Sequence, residues 1–254
     1  SLVGSEMCIR DRDNKASVTE IRPLRALLCA MVIAGCMLPA DADAASGIVW
    51  GTGASAPGQD SVAVGTNAKA KKSHAVAQGT EAKADGVYAL AFGYKVQTLA
   101  NYAIAMGHQA KAGANAIGGV AIGSSSVVEG EHGVALGDQA ESKNKQTIAV
   151  GLKSVSSGEQ SISIGHQAKA IGNNSIAEGA GAKGYAKDGI AIGNNAESGT
   201  ADNKDPRIPS IESNNGVAVG NSAKARGGSS VSVGNDSFGN GPSSVAIGNA
   251  ATAN

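Results

Sequence analysis

The sequence predicts an all-β fold, a parallel β-solenoid or β-roll built from coils of fourteen residues. Three observations favour it. Glycine is abundant, with 36 of 254 residues, and aromatic residues make up only 3%; conventional globular cores depend on larger side chains. Hydrophobic residues still reach 42%, which is too many for a disordered chain. Finally, a short motif recurs along most of the chain, and internal repeats of this kind are typical of stacked architectures.

The N-terminal segment differs in composition from the repeats. Arg22 and Arg25 precede an apolar run at 26–38, which is followed by a stretch of small residues. This order is typical of an export signal, so we interpret residues 13–45 as a signal peptide. Residues 1–12 precede the basic part of this signal and match nothing later, so we interpret them as an assembly or expression scar.

One detail of this segment allows another interpretation. Cys36 follows Ile-Ala-Gly, which is similar to a lipoprotein processing box. Acylation at Cys36 would add a lipid anchor, because each buried acyl methylene contributes to membrane affinity. Export with simple cleavage and export as a lipoprotein therefore both remain open.

The repeats occupy residues 61–254, after an N-terminal cap or lead-in at 46–60. In each of thirteen copies a glycine follows an aliphatic residue, a small residue and a third residue that is usually aliphatic. The glycines are fourteen residues apart except for one step of 16 and one of 27. We expect each of them to occupy a turn that needs positive φ or close backbone approach. They are Gly65, Gly79, Gly93, Gly107, Gly123, Gly137, Gly151, Gly165, Gly179, Gly193, Gly220, Gly234 and Gly248.

Two strands are predicted in each copy. The alternation around Val62 to Val64 has a period of two and predicts a strand of about five residues. A weaker alternation follows, as in Ala68, Lys69 and Ala70, where the lysine would face water. Stacking such coils at about 4.8 Å would form two parallel sheets back to back. Sheets this close have no room for leucine or phenylalanine between them, which explains the alanine and serine columns.

Two insertions interrupt the period. The 27-residue step contains a proline-rich, charged stretch at 200–214, which predicts a loop leaving the roll. Insertions in solenoids are often binding elements, so the loop residues Lys204, Asp205, Arg207 and Glu212 are candidate ligand-binding residues. A tolerated insertion without a ligand is the alternative, because long loops cost little stability. The shorter insertion at 114–118 predicts a β-bulge.

Aromatic residues cluster in two neighbouring copies. Tyr88, Tyr94 and Tyr102, together with Phe92, could form a contact patch for a ligand. Packing at a stack end or in the core is the alternative interpretation.

Two polar residues stand where other copies carry an aliphatic residue before the glycine. If that column faced a threefold axis, three Glu178 carboxylates would meet and would need protons or a cation. The alternative is that the position is partly hydrated and has no special role. Gln78 is the second of these polar residues, and the same two interpretations are open for it.

No catalytic or metal-binding constellation is present in the sequence. His74, His108, His132 and His166 are scattered, and the two that share a repeat position, His108 and His166, are four coils apart. We therefore predict that the protein is not an enzyme and needs no metal or cofactor. The charge balance of 21 basic against 21 acidic residues gives no indication of a nucleic-acid partner.

The repeat copies resemble a known family. The segments SVAVGTNAKA (61–70), SISIGHQAKA (161–170) and SVAIGN (244–249) are similar to the head repeats of trimeric autotransporter adhesins, the YadA-like family of type V secretion. The resemblance implies a left-handed roll, a homotrimer, display at the bacterial outer membrane, and virulence-related adhesion to extracellular-matrix proteins or host cells. It also implies a coiled-coil stalk and a C-terminal membrane anchor. Neither follows the repeats here, so we interpret the chain as a head fragment.

A thin roll also favours oligomers on physical grounds, because neighbouring chains would cover its apolar columns. The repeat spacing leaves open which column faces the neighbours. Two other functions remain open: a non-adhesive spacer in a surface fibre, and a solenoid that binds ice or polysaccharide through a flat ladder. The latter function favours a uniform threonine or aromatic column. The column after the glycine is mixed, beginning Thr66, Thr80, Tyr94 and His108.

Overall fold

Two parallel β-sheets lie back to back in the computed structural model, which describes residues 47–200 and 214–254. The predicted signal peptide lies outside the described residues. Within them, the strands in chain order are β1 (Ile48–Trp50), β2 (Val62–Val64), β3 (Lys69–Ala70), β4 (Val76–Gln78), β5 (Lys83–Ala84), β6 (Leu90–Phe92), β7 (Gln97–Thr98), β8 (Ile104–Met106), β9 (Lys111–Ala112), β10 (Val120–Ile122), β11 (Val127–Val128), β12 (Val134–Leu136), β13 (Glu141–Ser142), β14 (Ile148–Val150), β15 (Val155–Ser156), β16 (Ile162–Ile164), β17 (Lys169–Ala170), β18 (Ile176–Glu178), β19 (Lys183–Gly184), β20 (Ile190–Ile192), β21 (Glu197–Ser198), β22 (Val217–Val219), β23 (Lys224–Ala225), β24 (Val231–Val233), β25 (Phe238–Gly239), β26 (Val245–Ile247) and β27 (Thr252–Ala253).

The strands alternate between the two sheets. In the described residues, β1 and the even-numbered strands form a fourteen-stranded sheet, and β3 to β27 of the odd-numbered strands form a thirteen-stranded sheet. Each coil from β2 onward therefore contributes a three-residue strand to one sheet and a two-residue strand to the other. The prediction of an all-β parallel solenoid with fourteen-residue coils is confirmed.

The register follows the sequence repeat. Val62 pairs with Val76, fourteen residues further on. The pairing step widens to 16 residues between Ile104 and Val120 and to 27 between Ile190 and Val217, and the same strand positions still face each other. Identical repeat positions therefore form continuous ladders along both sheets.

The strands are shorter than the predicted five residues. Ser61, before β2, closes a turn by donating its backbone N–H to the Gly58 carbonyl oxygen at 3.2 Å. At the other end Gly65 begins the next turn with φ of 128°. A Cβ at Gly65 would lie 2.6 Å from the Gly79 carbonyl oxygen of the next coil. Glycine is therefore favoured here for two reasons. Its positive φ is unfavourable for other residues, and the next coil leaves no room for a Cβ.

The space between the sheets is filled by small side chains. Ala63, Ala68 and Ala70 are fully buried, and equivalent alanines and serines repeat along the roll. Val96 and Val128 are the largest fully buried side chains among the described residues. Buried hydroxyls form hydrogen bonds mainly with the backbone or with each other, as buried polar groups generally do. The hydroxyl oxygens of Ser142 and Thr147, for example, are 2.6 Å apart. The expectation that leucine and phenylalanine do not fit between the sheets is confirmed, because no fully buried side chain of the described residues is larger than valine.

The lead-in at 46–60 contributes a strand to the roll. Its Ile48 and Trp50 pair with Val62 and Val64 of the first recognised repeat. The sequence signal is Gly51, which lies fourteen residues before Gly65 and has a φ of 124°. Val49 replaces the usual alanine, which hides this coil from a search for the repeat motif.

The insertion at 114–118 forms turns, so the prediction of a β-bulge is wrong. Ala116 donates its N–H to the Gly113 carbonyl, and Gly119 donates to the Ala116 carbonyl, which makes two successive turns between β9 and β10. Both strands keep parallel partners on either side. The extra residues are accommodated in the connection, where they leave the ladder hydrogen bonds intact.

Candidate binding surfaces

The outer face of the fourteen-stranded sheet carries two columns of mostly aliphatic side chains, here called the aliphatic face. In β2 the central Ala63 is fully buried, whereas Val62 and Val64 point outward and are half-buried. The pattern repeats in every even-numbered strand, and at about 4.8 Å per strand the face extends over roughly 60 Å. Ile164 and Ile192 are 40% and 37% exposed. Parallel sheets are normally covered on both faces, so this face is a candidate association surface.

Two polar side chains interrupt the aliphatic face in the described strands. Gln78 stands between Val64 and Phe92 on the neighbouring strands. Glu178 stands between Ile164 and Ile192. In the single chain both side chains are exposed.

The outer face of the thirteen-stranded sheet is polar in most coils, and we call it the polar face. In β3 Lys69 points outward and is exposed, while Ala70 is fully buried. Lys111 repeats this arrangement in β9, and Lys83 is half-buried in β5. The prediction that these lysines face water is confirmed. The two outer faces of the roll thus differ in character, one aliphatic and one largely charged.

The candidate tyrosines lie in the turns. Tyr88 and Tyr102 occupy equivalent positions in consecutive coils, and their rings stack at a centroid distance of 5.5 Å. His74 extends the stack on the other side of Tyr88, at 4.5 Å. Tyr88 and Tyr102 are 48% and 59% exposed, so the alternative of core packing is wrong for them.

The third tyrosine lies at a different corner of the coil. Tyr94 stacks on His108 of the next coil at 5.4 Å, and the Lys95 ammonium lies 5.0 Å from the centre of the Tyr94 ring. The Tyr94 side chain, followed by the Glu81 carboxylate, raises the pKa of Lys95. The predicted three-tyrosine patch is therefore two separate clusters, because Tyr94 follows the repeat glycine whereas Tyr88 and Tyr102 occupy the opposite turn.

An open groove of about 550 Å³ lies beside Tyr94, between that corner and the aliphatic face. It is lined by Gln78, Phe92, Gly93, Tyr94, Met106, Gly107 and His108. It joins the edge of the aliphatic face to the Tyr94 cluster.

The loop candidates Lys204, Asp205, Arg207 and Glu212 lie outside the described residues. The described residues on either side of them locate the insertion. Strand β20 pairs with β22, and β21 pairs with β23, so the two coils that flank the insertion stack directly on each other. The insertion therefore lies between β21 and β22 in the sequence, and the strands on either side of it keep the register of the roll.

The histidines do not converge within residues 47–200 and 214–254. His74 and His108 stack in different aromatic clusters, and in this part of the chain no group of three His, Cys, Asp or Glu side chains could hold a metal ion. Among the same residues, no helix has the length and hydrophobicity required to cross a bilayer.

Comparison with known proteins agrees with this geometry. The family model for the YadA head domain repeat matches residues 46–68, 70–95, 114–140, 129–154, 142–166, 156–182, 212–237 and 240–254, which together cover more than half of the chain. The protein is thus a β-solenoid of repeated coils, and it belongs to the family of YadA head domain repeat proteins. Membership of this family indicates an adhesin-type function. The search of curated proteins found no match to the chain.

Proposed function

We propose that this chain is the head of a bacterial surface adhesin, a homotrimer that binds extracellular-matrix or host-cell ligands without catalysis. Export through the signal at 13–45 would bring it to the cell surface. A left-handed roll is part of the proposal, as the family resemblance implies.

The aliphatic face is the observation that carries the proposal. Its columns include Leu136, Val150 and Ile164 on consecutive strands. Burying a Val or Ile side chain completely contributes about 1.5–3 kcal/mol, and these side chains are half-buried or exposed in the single chain. Association through this face would remove many of them from water at once. A closed ring of three chains would cover each copy of the face and leave the polar faces outside.

Adhesion would then depend on the remaining outward surfaces. The Tyr88 and Tyr102 stack, the polar face and the loop at 200–214 are the candidates for ligand contact. Three copies in one assembly raise the effective concentration of each weak contact, so avidity supplies strength that a single site lacks.

A binding assay tests the adhesive part of the proposal. The purified chain is applied to surfaces coated with extracellular-matrix proteins and to cultured host cells, and retention is compared with that on albumin-coated surfaces. We expect saturable retention on at least one matrix protein or on cells. Retention equal to that on albumin throughout would support a non-adhesive spacer instead.

A further inference from the structure

We propose that three lysines of the polar face, Lys69, Lys83 and Lys111, form a binding row for a linear sulfated polysaccharide. The inference rests on the adhesin function proposed above and names a class of ligand for it. We call these three residues the lysine row.

Strand register brings the lysine row together. Lys69 of β3 pairs directly with Lys83 of β5. Lys83 pairs with Gln97 of β7, and Gln97 pairs with Lys111 of β9. The row thus occupies four consecutive strands, and at about 4.8 Å per strand it is roughly 14 Å long. Gln97 lies inside the row and offers an uncharged amide donor.

The lysine row lacks carboxylate partners in the described structure. The two acidic residues nearest in sequence, Glu81 and Asp85, pair with other lysines. Asp85 lies 2.9 Å from the Lys71 ammonium and Glu81 lies 3.9 Å from that of Lys95. Like charges placed side by side on neighbouring strands repel each other. A bound polyanion would relieve this repulsion while forming charge-assisted hydrogen bonds with the ammonium groups.

The surrounding coils are basic, although the chain as a whole is neutral. Residues 66–112 contain six lysines against two carboxylates, a net charge of +4. Residues 120–199 contain six lysines against eight carboxylates, a net charge of −2. A polyanion would therefore be attracted to the coils at 66–112 and not to those at 120–199.

The shape of the lysine row favours a polysaccharide over a nucleic acid. The donors lie in single file on a regular sheet, and a linear glycan presents its acidic groups in line along an extended chain. Single-stranded nucleic acids depend on aromatic side chains for base stacking, and neither Gln97 nor any of the three lysines provides a ring. The ammonium groups suit sulfate as compact point charges.

Heparin provides a practical probe for the lysine row. The full chain and two triple variants are titrated onto immobilised heparin at low salt. The test variant is K69Q/K83Q/K111Q. The matched control is K169Q/K183Q/K224Q, which removes the same charge from the same repeat position in later coils. There Glu197 pairs with Lys183 and with Lys224 on the adjacent strands, so an acidic neighbour is already in place.

We expect the test variant to bind heparin roughly tenfold more weakly, since each exposed ion pair contributes modestly, and the control to bind like the unsubstituted chain. Circular dichroism and thermal unfolding establish that both variants fold. Equal weakening in both variants, or no binding by the unsubstituted chain, would overturn the proposal. Tighter binding to single-stranded DNA or to phosphatidylserine vesicles than to heparin would also overturn it.

The matrix and cell assays separate this inference from the proposed function. If the chain adheres to matrix proteins or cells but not to heparin, only the lysine row is wrong. If the chain adheres to none of these surfaces, the adhesin function fails as well.

Discussion

Glu178 and Ile192 are in-register partners on neighbouring strands of the fourteen-stranded sheet, and both side chains point outward on the aliphatic face. A carboxylate in this position is suited to water and poorly suited to a neighbouring chain. The residue therefore reports whether the aliphatic face is covered.

Replacing Glu178 with isoleucine is expected to stabilise the assembly. In a trimer built on the aliphatic face, the substitution removes three carboxylates from an apolar contact, and replacing buried charges with apolar residues is often stabilising. We expect the melting temperature to rise by several degrees, measured by calorimetry. Glu178→Gln is the control that removes charge alone and should have a smaller effect. A lower melting temperature for Glu178→Ile would contradict coverage of this face.

A charge placed elsewhere on the aliphatic face should separate the chains. Ile164→Glu puts a carboxylate on a surface that a trimer would bury, at a cost well above that of an exposed substitution. Light scattering should show a shift from trimer to monomer. Lys169→Glu, on the polar face of the same coil, should leave the trimer intact. If light scattering gives the same assembly mass for both variants, the aliphatic face is not the surface through which the chains associate.

The repeat glycines should differ in sensitivity according to whether a coil follows them. A Cβ at Gly151 would lie 2.6 Å from the Gly165 carbonyl oxygen, whereas a Cβ at Gly248 would meet only the Ala251 Cβ at 3.9 Å. Their φ angles are similar, 122° and 128°. Gly151→Ala should therefore cost about 1–3 kcal/mol more than Gly248→Ala in unfolding free energy. If both variants lose the same unfolding free energy in urea titrations, the positive φ alone explains why glycine occupies this repeat position.

Non-glycine residues in left-handed turn positions offer a stabilising change. Lys153 has a φ of 56°, a conformation that asparagine tolerates better than lysine does. Lys153→Asn should raise the unfolding free energy by about 0.5–1 kcal/mol. Lys169→Asn, in an extended strand, is the control and should bring no gain. A loss of stability in Lys153→Asn would show that the lysine side chain makes a contact that outweighs the turn preference.

Deleting residues 201–213 should leave the roll intact. The deletion turns the 27-residue step into one of fourteen, and the flanking coils already stack on each other. We expect the melting temperature to change by less than a few degrees. If Lys204, Asp205, Arg207 and Glu212 bind the ligand, retention on matrix-coated surfaces will fall in the same variant. A large loss of stability would show that the loop packs on the roll.

The fourteen-residue repeat made the solenoid predictable, because each step of the ladder is one period of the sequence. The alternation of Val62, Ala63 and Val64 also predicted which residues fit between close sheets. It left open which aliphatic column meets another chain, and in the structure both outer columns of the strand point outward. The common rule that valine and isoleucine lie inside fails here because the gap between the sheets admits little more than alanine or serine.

The grouping of the tyrosines, the pairing of the charged side chains and the first coil could not be predicted from the repeat period alone. Tyr88 and Tyr94 are close in sequence but lie at different corners, because the turn after the glycine and the opposite turn are separated by the strand β6. Positions 69, 83, 97 and 111 are one period apart, but only the structure shows that Glu81 and Asp85 pair with Lys95 and Lys71 and not with the lysine row. The first coil was missed because Val49 departs from the alanine column.

The mass of the protein in solution decides whether the aliphatic face is a trimer interface. Sedimentation equilibrium or light scattering at micromolar concentration should give three times the chain mass of 24.9 kDa, or three times that of the processed chain if the signal is removed. Circular dichroism on the same sample should show β structure. A folded monomer would show that the aliphatic face is stable in water and is not an interface between chains.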